Sequence, residues 1–98
     1  MATDDALIAH LNGETGQIGW EELQRHFARG VVVRVAPGLD LVAVAATLVR
    51  DDKAAVSAWL ETGQVARAES ADAKRWHKQQ SRFWAVVAAP WVLVQEIE

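Results

Sequence analysis

Ninety-eight residues, 51% of them apolar, with no cysteine and a formal charge of −3, describe one domain able to bury its own core. The lack of cysteine excludes disulfides, thiolate metal sites, cysteine nucleophiles and thioether haem attachment. The longest apolar stretch, Phe83 to Val94, runs about 12 residues and contains Pro90, against the roughly 20 that a membrane helix needs. The acidic start, Met1-Ala2-Thr3-Asp4-Asp5, lacks the basic opening of a signal peptide, so the cytoplasm is the expected compartment. Charge is uneven along the chain. Residues 1–30 carry −3, residues 31–62 carry −1, residues 63–82 carry +3 and the remainder −2. Any electrostatic case for nucleic acid is therefore confined to residues 63–82.

In chain order, Leu7, Ile8 and Leu11 share one face of a helix starting near Asp4. Gly13, Gly16 and Gly19 follow at intervals of three, which fits either a break or a continuous helix with one close-packing face. From Thr15 onward, Ile18, Trp20, Leu23 and Phe27 continue an apolar stripe opposite Glu21, Glu22, Arg25 and Arg29, and Gly30 ends that amphipathic helix. The β-branched run Val31 to Val35, closed by Pro37-Gly38, predicts a strand. Asp40 caps a buried helix through Val49, and Asp51-Asp52 ends it and caps the next, Lys53 to Glu61, which Gly63 terminates. Gln64 to Ala68 reads as a short strand, and Ser70 as the cap of a helix through Gln80 centred on Trp76. Phe83 to Ala88 and Trp91 to Ile97 read as strand, with Pro90 marking a bulge, an edge or a bend.

The expected fold is one α+β domain over residues 1–98, helix-rich, with a short two- to three-stranded antiparallel sheet. Its order of elements is that of a winged helix-turn-helix, with helices 40–50 and 52–61 as the helical pair and residues 64–68 and 83–97 as wing strands.

The run Val35-Ala36-Pro37-Gly38-Leu39-Asp40-Leu41-Val42 resembles a small family of uncharacterised bacterial proteins catalogued as a domain of unknown function. So do Ala58-Trp59-Leu60-Glu61-Thr62-Gly63-Gln64 and the segment Trp84 to Gln95, and the resemblance extends from about Leu11 to Gln95. It implies no activity, cofactor or site residue. The glycines between Gly13 and Gly19 depart from the family pattern, in which a better helix former is expected.

Three constellations bear on function. The helix Lys53 to Glu61 would be the recognition helix of a helix-turn-helix, yet it offers one lysine, one serine and acids at both ends, so it reads as a core element. A basic strip of Arg67, Lys74, Arg75, Lys78 and Arg82, interleaved with Trp76 and His77, could track a phosphate backbone and stack bases; its plainer reading is a solvated helix face anchored by Trp76. Glu22 and His26 are one helical turn apart with His10 within conceivable reach, but no metal-ligand motif exists, and a surface Glu–His pair accounts for them. No nucleophile elbow, phosphate loop or dinucleotide fingerprint is present, so catalysis is disfavoured, and no cofactor is expected.

The last feature is tryptophan, of which there are five. Trp20 and Trp59 read as core. The final strands are apolar on both faces, and a domain this small has few helices with which to cover them. Trp84, Trp91 and Leu93 are therefore candidates for a protein interface, against the alternative of a central strand sandwiched between the protein's own helices. The favoured function is a non-catalytic interaction module, homodimeric or with another protein, working through the C-terminal strand. The alternative is a nucleic-acid binder using the basic strip, and no membrane partner is expected.

Overall fold

The computed structural model describes residues 2–97, with side chains from Ala6 to Ile97. Five helices and five strands follow one another as α1 (Ala2–Glu14), β1 (Gly16–Gly19), α2 (Trp20–Ala28), β2 (Val32–Val35), α3 (Leu41–Val49), α4 (Lys53–Thr62), β3 (Val65–Arg67), α5 (Ser70–Gln79), β4 (Arg82–Ala88) and β5 (Trp91–Glu96). The class is α+β, as the residue pattern implies. The sheet corrects the expected two- to three-stranded antiparallel one: five strands run in the order β1-β4-β5-β2-β3, and β2 lies parallel to β5 with Val32 opposite Val92. The remaining neighbours are antiparallel. This topology does not confirm the winged-helix order, since β2 is an inner strand bonded on both sides.

Two layers of helix cover the sheet. On one face α1 and α3 pack with Val33, Val35, Val65, Val86, Ala88 and Leu93. On the other, Trp20 and Leu23 of α2 and Trp76 of α5 close over Val32, Phe83, Val92 and Val94. Period-2 alternation in β4 and β5 sends successive apolar side chains into opposite clusters, which is why both strands are apolar on both faces. For β5 the sandwiched arrangement is the one that forms, with Val92, Leu93 and Val94 all buried.

The local signals act as their chemistry requires. Asp40 Oδ1 accepts the backbone N–H groups of Val42 at 3.0 Å and Ala43 at 3.3 Å, capping α3. Asp40→Ala is expected to lower the unfolding free energy by about 1 kcal/mol, read from urea denaturation followed by circular dichroism. Gly63 ends α4 at φ +76°, a left-handed geometry that a side chain would strain.

The glycine-rich stretch resolves as a break. Residues 16–19 leave α1 as an edge strand whose Ile18 faces Phe83 across the β1–β4 ladder, and α2 begins only at Trp20. Ile18 thus belongs to a strand rather than to the helical stripe. Two glycines and a glutamine in four residues carry little strand propensity, and the partner β4 supplies the hydrogen bonds that make the segment extended.

Candidate functional site

The two ends of the sheet differ in chemistry. At the carboxyl end of the parallel pair, on the face covered by α5, a polar network surrounds Asp72. As the third residue of α5, Asp72 reaches back to accept the Glu69 backbone N–H at 2.9 Å in a capping box. Its carboxylate is thereby laid over β2, where Arg34 Nε stands 3.2 Å from Oδ2, while Arg75, one turn along α5, lies 3.3 Å from Oδ1. A carboxylate that is only 8% exposed is tolerated because two hydrogen-bond donors, the Glu69 N–H and Arg75, and the Arg34 ion pair surround it. Arg75 also donates to Glu96 Oε1 at 2.8 Å, and the indole Nε1 of Trp76 donates to the same oxygen at 2.7 Å. The hydrogen bond that Arg75 donates to Glu96 raises the Arg75 pKa above its already high ordinary value, so this guanidinium stays charged. A concavity of about 230 Å³ opens beside the network, bounded by Arg34, Arg75, Trp76 and Glu96 and by the loops at Ala36-Pro37 and Gly63-Gln64.

At the other end and on the opposite face lies an apolar cleft of about 210 Å³. Val33, Leu48, Val56, Leu60, Val65 and Trp91 line it, with Arg67 at its mouth. The Arg67 guanidinium sits 5.4 Å from the centroid of the Trp91 ring and donates to the Gly30 carbonyl at 2.6 Å. Helix α4 borders the cleft without closing it. None of its residues is buried, and Leu60 is 51% exposed.

The three interface candidates are not brought together. Leu93 has no exposed surface and is a core residue. Trp91 is partly buried in the cleft, whereas Trp84 is 41% exposed near the far end of β4. Trp84 stands opposite Gln95 and Trp91 opposite Ala88, so four residues, about 13 Å, separate them along the strand. The basic strip is divided as well. Arg67 lies against Trp91 on the α1/α3 face, while Lys74, Arg75 and Lys78 sit on α5 across the sheet. Arg75 is engaged by two carboxylates, and Arg82 shares a hollow with Glu21 and Glu22; Lys74 and Lys78 are exposed. His10 on α1 and the Glu22–His26 pair on α2 belong to helices on opposite faces of the sheet. Among the described residues no cluster of three or more metal-ligating side chains forms, and no helix is long and apolar enough to cross a membrane.

Residues 6–96 match the family described as "Protein of unknown function (DUF2288)". The chain belongs to that family. DUF2288 carries no assigned activity, in keeping with a sequence whose motifs name none. The chain is also similar to the NMR solution structure of PA1075 from Pseudomonas aeruginosa, at 42% identity and a TM-score of 0.83, covering 100% of this chain and 88% of that one. No curated protein matches.

Residue pattern alone missed Arg34, Asp72 and Glu96. Two signals for them were present in the sequence. Arg34 interrupts a run of valines at a position whose period-2 neighbour, Val32, is buried, and a charge there needs a partner. Glu69-x-x-Asp72 has the spacing of a capping box, which places an acid at the first turn of α5.

Proposed function

We propose that this DUF2288 protein is a small non-catalytic interaction module that pairs with a second copy of itself through the cleft around Trp91. The observation supporting this reading is the stance of α4: a ten-residue helix with no buried residue stands beside an apolar cleft that its own side chains leave open. Filling such a cleft with an apolar side chain removes surface from water on both partners. Leu60 is the exposed apolar residue beside it, so one two-fold pair supplies knob and hole twice over. Arg67, held over Trp91 by the Gly30 carbonyl, provides a polar rim.

Light scattering over a rising concentration series is expected to give a mass that climbs from monomer to dimer. Leu60→Glu, at a half-exposed site, should hold the mass at monomer with an unchanged circular dichroism spectrum, and Trp91→Ala should weaken pairing. A wild-type chain that stays monomeric to millimolar concentration would rule the dimer out. The nucleic-acid alternative would rest on Lys74, Lys78 and Arg82, because Arg67 lies on the other face and Arg75 is already paired.

A further inference from the structure

We infer that the polar concavity at the carboxyl end of β2 and β5 binds a small zwitterionic carboxylate, of which a free α-amino acid is the simplest. The first argument is an unused guanidinium fork. Arg34 is ion-paired with Asp72 through its Nε at 3.2 Å, yet its guanidinium donates no hydrogen bond to any of the described residues, and its side chain is 39% exposed where it borders the concavity. Two parallel N–H donors held on a rigid strand match the two oxygens of a carboxylate.

The second argument is the balance of charge. Arg34 and Arg75 face Asp72 and Glu96, so the site is neutral overall and a bare anion gains little there. Glu96 uses only Oε1 to hold Arg75 and Trp76; Oε2 has no protein partner among the described residues, and since Glu96 lines the concavity this second oxygen is the acceptor available to an ammonium. A ligand with one charge of each sign satisfies both free groups, whereas a phosphate dianion would meet the Glu96 carboxylate. Gln64 adds a neutral donor: its Oε1 lies 3.0 Å from Thr62 Oγ1, which leaves its amide nitrogen free at the rim. A volume of about 230 Å³ admits a small amino acid with water. The location agrees as well, since the crevice beyond the carboxyl ends of parallel strands is where open sheets commonly hold ligands.

The test is an amide NMR titration of the full chain with L-alanine, acetate and ethylammonium, each raised to tens of millimolar at low salt. L-Alanine is expected to shift amides at residues 34–37, 63–64 and 94–96, with acetate and ethylammonium each producing clearly weaker saturation. Arg34→Lys keeps a cation beside Asp72 but removes the fork, and should weaken L-alanine at least about tenfold, as expected when charge-assisted bonds are lost. Its amide spectrum away from the site should be unchanged, which separates lost binding from lost folding. An acetate response equal to that of L-alanine would overturn the zwitterion assignment. Absence of shifts at these residues, or shifts insensitive to Arg34→Lys, would overturn the site itself.

Discussion

Trp76→Ala is expected to lower the unfolding free energy by about 4 kcal/mol, a large fraction of the about 5 to 15 kcal/mol that native domains commonly have. The indole has no exposed surface. Its ring centroid lies 4.9 Å from that of Phe83 and 5.9 Å from that of Trp20, so it joins α2, α5 and β4 in one cluster. Truncation removes these contacts and leaves a cavity whose walls are backbone-anchored strands and helices that collapse poorly. It also strips Glu96 of the indole donor at 2.7 Å. Trp76→Phe keeps most of the volume and loses chiefly that hydrogen bond, so its cost should be nearer 1 kcal/mol. Urea denaturation followed by far-ultraviolet circular dichroism separates the two. A cost for the alanine variant below about 1 kcal/mol would show that α5 does not pack on the sheet through Trp76. Because Trp76 also walls the polar concavity, the phenylalanine variant tests how far that site depends on Glu96 being held in place.

The second large effect divides residues that the sequence groups together. Leu93→Ala should cost about 3 kcal/mol, whereas Trp84→Ala should stay within about 1 kcal/mol. Leu93 is wholly enclosed between β4 and β2 and under the helices of its face, and its removal leaves a void in the larger cluster. Trp84, the larger side chain, stands at 41% exposure opposite Gln17 and Gln95, where water replaces the lost ring. Equal losses from the two substitutions, measured by the same denaturation, would mean that β4 and β5 are not covered as described. In the dimer reading neither variant should alter the mass in light scattering so long as it folds, because neither side chain lines the cleft at Trp91.

Local chemistry made much of this protein legible in its residues. The valine run of β2, the Asp40 and Asp52 caps, the stops at Gly30 and Gly63 and the strand pair about Pro90 each depend on groups within a few residues of one another, and each forms where its pattern places it. The tertiary structure alone decided the rest. Gly16–Gly19 becomes a strand because β4 offers it a ladder, and no propensity within GQIG announces that. The parallel pairing of β2 with β5 joins segments more than fifty residues apart, and it adds two strands' worth of ladder to the expected hairpin. The same pairing carries Arg34 and Glu96 to one end of the sheet, where α5 lowers Asp72 onto them. Opposite faces of that sheet also take Arg67 away from Lys74, Arg75 and Lys78, although they are close in sequence. Charge and apolarity are properties of the chain, but which charges share a site depends on strand register and on the face to which each side chain turns.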